Sequence, residues 1–389
     1  MKICRLDTHV VQAEISRPFS ASIARGRHSH RGAILVRVVT DDGLEGWGET
    51  FQALASPPDA LAAVIRDLVA PRVIGRSPLE CEAVYREVTG AGRGYGRLAA
   101  RALAAVDTAL WDVKGKALGQ PIAALLGAAE SDTSFPAVAT AVFYGEPVES
   151  VGGRLETVAR LLEQGFTAVK VKIGGTRPDI DLEHVAAIRR MLPDDVMLCV
   201  DANSGLTPTT AVDVGRRLQD HGVYWLEEPI DVRDTAVYRR LAAATSLVLA
   251  GGQDVADISE LLPTLRESAL HLVQPSIAGA GGITGVWKLI QQAAALGARY
   301  CPTGWGSGLL ISASLHLRAA TVTWPTLPLP DKDWIEYDVS DNPLRDVLLT
   351  EPPRLSAGHL TLSTGPGLGV TVDTDALARL TIASSTVTP

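Results

Sequence analysis

The stretch Ala168-Val169-Lys170-Val171-Lys172-Ile173-Gly174 decides how the rest of the chain is interpreted. It is a short apolar strand with two lysines at alternate positions, and it ends at glycine. Residues two apart in a strand point to the same side, so Lys170 and Lys172 face one way together. Two neighbouring ammonium groups on a buried strand are costly, and burial and repulsion lower the pKa of at least one. The pair indicates a bound anion, a cluster of carboxylates and a metal ion, or a catalytic base, unless the strand is an edge strand with solvated lysines.

Short apolar runs and amphipathic segments alternate along the chain after residue 128. Segments 209–220 and 282–296 are examples of the amphipathic stretches, which have the length of helices. Repeated strand-helix units predict a parallel sheet, and eight strands predict a closed (β/α) barrel over about residues 135–340. The eight apolar runs begin near Val138, Ala168, Val196, Val223, Leu247, Leu270, Ala298 and Trp334.

The first third of the chain has a different pattern, with strands followed by helices. A turn at residues 40–43 separates two strand-like runs, 33–39 and 44–49, which predicts an antiparallel hairpin. Helical periodicity extends from Pro57 to about Leu126, so an α+β domain is predicted here. Its buried stripe is predicted at Leu103, Val106, Leu110 and Val113.

Two further segments complete the prediction for this domain. Residues 16–32 are polar and rich in arginine and histidine. They are either a plain solvated loop or a mobile flap that brings cations to an anionic ligand. The C-terminal tail has strand-like runs and is predicted to return to the first domain.

Polar residues stand at the ends of three consecutive barrel strands. Asp201 ends the third strand, Glu227 the fourth, and Gln253 or Asp254 the fifth, and each step from 201 to 227 to 253 is 26 residues. Equal spacing places these side chains at matching heights on the C-terminal face of the barrel. A single acid there is commonly a helix N-cap, but three such positions beside a lysine pair favour a metal site. Clustered oxygen ligands favour Mg²⁺.

A lysine beside such a metal site suggests a definite reaction. The ion would bind a substrate carboxylate, and Lys172 would take the proton from the adjacent carbon to give an enediolate. A lysine needs a lowered pKa to act as a base, and a neighbouring ammonium group and a metal ion both favour that. A metal-free lysine site with Schiff-base chemistry remains an alternative.

Composition excludes several other classes of protein. The 389 residues carry a net charge of −8 with no basic patch, so a nucleic-acid partner is not expected. Neither a signal peptide nor a membrane-spanning apolar run is evident, which predicts a cytoplasmic protein without membrane contact. The cysteines lack the spacing of a disulfide framework or a zinc site. They are Cys4, Cys81, Cys199 and Cys301.

Several motifs together resemble the enolase superfamily. They are Lys-x-Lys at 170–172, Val-Asp-Ala-Asn at 200–203, Trp-Leu-Glu-Glu-Pro at 225–229 and the stretches 274–284 and 302–308. The last two are similar to the mandelate racemase/muconate lactonizing enzyme branch. Acid-sugar dehydratases and galactarolactone cycloisomerases look nearest, partly from segments 334–338 and 341–343. The resemblance covers nearly the whole chain.

The resemblance implies a fold and a cofactor. The fold is an α/β protein with a modified (β/α)7β TIM-type barrel at residues 131–344 and an N-terminal α+β capping domain at 1–130. The tail, from about 345 to 389, would complete the capping domain. Mg²⁺ would be bound at the ends of barrel strands three, four and five, and the partner would be a small-molecule carboxylate. A homo-oligomer is expected by analogy alone.

The resemblance also implies roles for single residues. Lys172 matches the base, and Lys170 matches the residue that tunes it. Glu336 matches an acid that hydrogen-bonds the substrate carboxylate, and residues 16–32 match a mobile specificity loop. The implied metal ligands are Asp201, Glu227 and, at the third position, Gln253.

Three positions depart from the family pattern. Gln253 stands where a carboxylate ligand is usual, although Asp254 is close in sequence. Ser276 and Thr303 stand where the racemase branch carries an aspartate and a histidine as a second acid/base, and no histidine of this chain is at a matching position. An acid/base group on only one face of the substrate favours dehydration or cycloisomerisation over racemisation, which needs groups on both faces. The alternative is a degenerate, catalytically weak or inactive relative that binds an anionic ligand.

Overall fold

The computed structural model describes residues 1–51, 58–129, 133–145, 150–321 and 334–389, apart from the side chains of Ile23 and Phe51. Pro57, where helical periodicity is predicted to begin, and the predicted domain boundary at 130–131 lie outside these ranges. Within them, no helix has both the length and the apolar character needed to cross a membrane.

The described residues form strands β1 to β14 and helices α1 to α13, numbered in chain order. The strands are Ile3–Ser20, Arg27–Thr40, Glu45–Phe51, Ser134–Thr140, Ala168–Lys172, Met197–Asp201, Trp225–Glu227, Val248–Gly251, Leu272–Val273, Arg299–Tyr300, Ile335–Asp338, Leu355–Ser356, His359–Thr361 and Thr381–Val387. The helices are Pro58–Val64, Cys81–Ala91, Arg97–Leu118, Ile122–Leu125, Val151–Glu163, Pro178–Met191, Pro208–Asp220, Thr235–Ala244, Leu262–Arg266, Gly282–Ala295, Gly308–Ala320, Pro343–Val347 and Thr374–Leu380.

An antiparallel sheet and helix α3 form the centre of the N-terminal part. The sheet order is β14-β1-β2-β3, so the last strand of the chain lies beside the first. Helix α3 packs across β3, and the predicted stripe of leucines and valines on α3 is buried. Two glycines of β3 allow the close approach, since a Cβ at Gly48 would lie 1.9 Å from the carbonyl oxygen of Ala105. Strands and helices are therefore arranged as the sequence predicts.

The central part is a closed barrel of eight parallel strands. Strands β4 to β10 lie side by side in chain order, and β11 pairs with β4. The N–H of Glu336 in β11 donates to the carbonyl of Pro302, just after β10, at 3.1 Å. Helices α5 to α11 follow the first seven strands in turn, whereas the chain leaves the barrel after β11. The predicted modified (β/α)7β barrel with an N-terminal cap is confirmed.

The C-terminal segment crosses from the barrel to the cap. Strand β13 pairs antiparallel with β4, and β14 pairs antiparallel with β1. These contacts join the tail to both parts of the fold. The exact limits of the two domains stay a prediction.

Residues 16–32 differ from the plain solvated loop that their composition allows. They form the end of β1, a short turn and the start of β2, with Phe19 paired to His28 and Ser20 to Arg27. We call residues 16–32 the cap arm. Its backbone at Ser20 exchanges two hydrogen bonds, of 2.8 and 2.9 Å, with Tyr144 at the barrel mouth. The arm therefore lies over the C-terminal face of the barrel.

Candidate active site

Strand pairing places the predicted site residues at one level of the barrel. Lys172 is opposite Asp201 in the β5–β6 pairing, and Asp201 is opposite Glu227 in the β6–β7 pairing. All three side chains are buried, although carboxylates and ammonium groups rarely are. The parallel register explains this alignment, because each βα unit adds one strand that ends at the same face.

Lys170 lies at the centre of a carboxylate cluster. Its Nζ is 2.8 Å from Glu227 and 2.7 Å from Glu336, and the nearer oxygen of Asp201 is 3.6 Å away. Burial alone would lower the pKa of Lys170, but the charges of Glu227, Glu336 and Asp201 raise it well above its ordinary value. At Lys170 the shift is thus opposite to the lowering expected from a lysine pair. Lys170 is a fixed positive charge in this structure.

Lys172 contacts the same cluster from the cavity side. Its Nζ is 2.5 Å from Oδ2 of Asp201 and 5.3 Å from the ring centroid of Phe143. Burial would raise the pKa of Asp201, but Lys172 and Lys170 lower it below its ordinary value. Lys172 therefore combines a charged partner on one side with access to a cavity on the other.

The charges of this cluster do not balance. Three carboxyl groups, of Asp201, Glu227 and Glu336, face the two ammonium groups of Lys170 and Lys172. Burial and the charge of Asp201 raise the pKa of Glu227 to about 8, whereas Glu336 keeps a lowered pKa because its lysine neighbours outweigh burial. One negative charge in excess is therefore taken up by a proton at Glu227 or by an added cation.

Gln253 points its amide nitrogen toward a neighbouring carboxylate. Its Nε2 donates to Oε2 of Glu228 at 2.8 Å, and Arg25 of the cap arm donates to the same oxygen at 3.1 Å. Backbone N–H groups of Gly252 and Gln253 donate to the other oxygen of Glu228. Asp254 is held in an ion pair with Arg25. Glu228 is thus an anchor for the arm, which the sequence analysis missed although it directly follows Glu227.

A cavity of about 210 Å³ lies between the cap arm and the barrel mouth. Lys172, Gln253 and Glu336 line it, and so do Ser276 and Thr303, which replace the expected acid/base pair. The structure therefore places these five predicted positions around one cavity.

Two histidines of the arm line the same cavity, which sequence reasoning did not predict. His28 stacks on Phe19, with ring centroids 5.2 Å apart, and meets Trp305 edge-on. Burial and the charge of Arg31 lower the pKa of His28 to about 4, so it is neutral at pH 7. His30 also lines the cavity. Only the richness of residues 16–32 in histidine hinted at this placement.

The residues present fit a hard divalent cation. Asp201 and Glu227 supply carboxylate oxygens on adjacent strands, and the amide oxygen of Gln253 is a possible neutral ligand. The excess negative charge of the cluster is the feature that a cation would compensate. In the described ranges, no group of three or more His, Cys, Asp or Glu forms a metal site, and the third expected position here is an amide.

Comparisons with known proteins agree with this arrangement. Residues 5–127 match the model of the mandelate racemase/muconate lactonizing enzyme N-terminal domain, and residues 154–376 match that of the enolase C-terminal domain-like family. The D-galactarolactone cycloisomerase of Agrobacterium fabrum is 34% identical over 382 residues, covering 97% of this chain and 98% of that protein.

Two solved structures show the same fold. The 3,6-anhydro-D-galactonate cycloisomerase of Zobellia galactanivorans has a TM-score of 0.85 at 28% identity, covering 98% of this chain and 100% of that one. The L-talarate/galactarate dehydratase of Salmonella typhimurium, solved with Mg and L-lyxarohydroxamate, has a TM-score of 0.86 at 26% identity, covering 100% and 95%. With its cap, its barrel and both domain models matched, this chain belongs to the mandelate racemase/muconate lactonizing enzyme family of the enolase superfamily.

Proposed function

We propose that this protein is a magnesium-dependent enzyme that removes the proton α to the carboxylate of a hydroxy or sugar acid, or of its lactone. The reaction would be completed as a dehydration or a cycloisomerisation. The observation that carries this proposal is the position of Lys172, which lines the cavity beside Asp201 and in register with Glu227. Relatives that are sugar-acid dehydratases and a cycloisomerase support the reaction class.

The roles of the chain's own residues follow from their positions. Asp201, Glu227 and Gln253 would hold Mg²⁺, which when bound stabilises negative charge developing on the substrate carboxylate. Glu336, at the cavity wall beside Lys170, is ionised in the free protein, so it would have to take up a proton to donate a hydrogen bond to that carboxylate. Lys172 would accept the α proton as a neutral amine, after its ion pair with Asp201 opens and its ammonium group releases a proton to solvent.

A single base is sufficient for elimination on one face. After Lys172 takes the α proton, the carbon–hydrogen electron pair forms the enediolate, which expels the oxygen on the β carbon. Lys172 can return its proton to that oxygen. A hydroxyl group then leaves as water, whereas a ring oxygen becomes the hydroxyl of an opened cyclic ether or the carboxyl group of an opened lactone. The remaining enol becomes a 2-keto acid. This scheme needs no group at Ser276 or Thr303.

The proposal is tested with Lys172→Ala, assayed for 2-keto acid formation and for exchange of the α proton in D₂O. A positioned base contributes about 100- to 10,000-fold, so we expect a loss of at least about 100-fold in kcat. Lys288→Ala is the control, because its ammonium group is at the surface, paired with Glu82. Full turnover and exchange in Lys172→Ala would refute the assignment.

The neutral residues Gln253, Ser276 and Thr303 favour a second candidate, an anion-binding relative without turnover. Calorimetric titration with Mg²⁺ and a panel of acid sugars separates the two. Ligand binding without any product or proton exchange would support the second candidate. The cytoplasmic location and the homo-oligomer stay predictions.

A further inference from the structure

We propose that Arg31 of the cap arm binds a second carboxylate, at the end of the substrate remote from Lys172. The substrate would then be an acid sugar with a carboxylate at both ends, as in the aldaric acids, whereas aldonic acids carry one carboxylate. The inference rests on the proposed function, since that function defines the end at Lys172 as the reacting end. It adds a residue that selects the substrate class.

Arg31 is a buried cation whose hydrogen-bonding capacity is only partly used. Its side chain is 4% exposed, and the residue lines the cavity. Nε donates to the carbonyl of Asp341, and Nη2 donates to Oδ2 of Asp338 at 2.7 Å and to the hydroxyl of Ser340. Nη1 is buried and has no hydrogen-bond partner in the described part of the chain. Buried polar groups are normally hydrogen-bonded, so the N–H groups of Nη1 are expected to meet a ligand.

Two aromatic rings hold the guanidinium group of Arg31 in place. Its central carbon lies 4.1 Å from the ring centroid of Trp305 and 5.0 Å from that of Phe19. A planar guanidinium group stacked on an aromatic ring is pre-organised, so it loses little freedom when it binds a further carboxylate. Asp338 fixes the group on one side, and Nη1 is left for a ligand.

The charge balance at Arg31 favours an anionic ligand. Burial lowers the pKa of Arg31 although Asp338 opposes this shift, so one carboxylate does not fully compensate the buried charge. The other arginine that lines the cavity, Arg25, has both terminal nitrogens in ion pairs with Glu228 and Asp254. A carboxylate at Nη1 would accept a charge-assisted hydrogen bond, which is about twice as strong as one between neutral groups.

Two other titratable groups of the wall are compatible with an anion beside Arg31. His28 meets the same Trp305 ring edge-on, with centroids 5.6 Å apart, and is neutral at pH 7 because burial and the charge of Arg31 lower its pKa to about 4. A neutral imidazole keeps one N–H that can donate to a carboxylate. The carboxyl group of Glu49 is bonded to Ser307, and burial raises its pKa, which favours the uncharged form.

Strand β11 separates Arg31 from the reacting end. Glu336 is 2.7 Å from Lys170, and Asp338 holds Arg31. These two acids are two residues apart on the strand, so they point to the same side and lie about 6.6 Å apart along it. Lys172 and Arg31 both line the cavity. A short acid sugar that lies along β11 would therefore reach Lys172 with one carboxylate end and Arg31 with the other.

The first experiment compares acids that differ at the distal carbon. Kd is measured by calorimetry with Mg²⁺ for galactarate against galactonate and for glucarate against gluconate. The full chain carries Lys172→Ala, so that loss of the base prevents turnover during the titration. We expect each dicarboxylate to bind at least about tenfold more tightly than its partner, because it adds a charge-assisted hydrogen bond. A dicarboxylate that binds no more tightly than its partner, or does not bind, would overturn the inference. Turnover by the parent chain tests the proposed function separately.

The second experiment removes Arg31 together with its partner, in the same background. Arg31→Met alone would leave Asp338 buried without a cation, so the variant combines Arg31→Met with Asp338→Asn. Its Kd for galactarate should rise at least about tenfold, whereas its Kd for galactonate should not change. The control combines Arg37→Met with Glu45→Gln, which removes an ion pair between β2 and β3 whose residues do not line the cavity.

Either of two results with the Arg31 variant would overturn the inference. Equal losses for galactarate and galactonate would show that Arg31 only supports the cap arm. An unchanged preference for galactarate would show that another group binds its second carboxylate.

Discussion

Replacement of Gln253 by glutamate tests the third metal position quantitatively. In the metal-free protein, Nε2 of Gln253 donates to Glu228 at 2.8 Å, and that bond is lost in Gln253→Glu. A hydrogen bond to a charged acceptor is worth about 1.5–3 kcal/mol. Two carboxylates about 4 Å apart repel by about 4 kcal/mol at an effective dielectric constant of about 20. Arg25, 3.1 Å from Glu228, offsets part of this repulsion, so we expect a destabilisation of about 3–5 kcal/mol.

Gln253→Glu should nevertheless strengthen the binding of magnesium. A glutamate ligand adds a charge that Gln253 lacks, so the Kd for Mg²⁺ should fall by at least about tenfold, equivalent to about 1.4 kcal/mol. The free energy of unfolding is measured by urea denaturation without Mg²⁺, and the Kd by calorimetry. Gln292→Glu is a matched control, because it makes the same charge change at an exposed position of helix α10.

Two results would refute this reasoning. If Gln253→Glu binds Mg²⁺ no more tightly than Gln292→Glu does, the side chain at 253 does not reach the ion. If the metal-free variant is as stable as the parent, the contact between Gln253 and Glu228 does not exist in solution. A gain in metal affinity together with a loss in metal-free stability is the expected combination.

Three further predictions concern stability and the cap arm. Lys170→Met should lower the free energy of unfolding by about 3–5 kcal/mol in urea denaturation without metal, because it leaves buried carboxylates uncompensated. Adding Glu227→Gln should recover part of this loss. An unchanged denaturation midpoint in Lys170→Met would show that Lys170 does not compensate these carboxylates. Asp107 caps helix α10 through the N–H of Thr284, and burial raises its pKa to about 7. The folded state then holds a proton that the unfolded chain releases near pH 4, so stability should fall by up to about 4 kcal/mol as pH rises from about 4 to above 7. Asp107→Asn should flatten this slope, and an unaltered slope would show that Asp107 is not its source. Arg25→Ala removes the ion pairs that hold the cap arm, so trypsin should cleave at exposed Arg27 faster in this variant than in the control variant Arg93→Ala. Equal cleavage rates would show that the arm is held by other contacts.

The barrel could be predicted from sequence because its signals are local. Each strand is an apolar run between amphipathic helices, and the equal spacing of Asp201, Glu227 and Gln253 reflects one βα unit per step. The cap arm could not be predicted in the same way. Its residues are polar, and their strand conformation depends on cross-strand pairing and on Phe19 packing against Phe143 and Trp305, which are distant in sequence.

Within the site, sequence spacing predicted the contacts among residues of the barrel strands but not the contacts between the barrel and the cap arm. The contacts of Lys170 with Glu227 and Glu336 follow from the barrel geometry, because these residues point inward at one level. The contact of Arg25 with Glu228 joins residues 203 positions apart in different domains. No local pattern encodes such a contact, and the same holds for His28 at the cavity wall. Long-range pairing across the two parts of the fold is what sequence reasoning lacked.

The buried charges argue against a site that has lost its chemistry. A buried ionic cluster costs desolvation energy, and replacing such a cluster with apolar residues is often neutral or stabilising by about 1–4 kcal/mol. A chain with no use for Lys170, Lys172, Asp201 and Glu227 could gain stability by replacing them. The neutral positions Ser276 and Thr303 lie instead at the cavity wall, where a substrate would be recognised. The buried charges at the strand ends are thus kept, and Ser276 and Thr303 replace only the second acid/base pair, which favours an altered substrate over an abolished reaction.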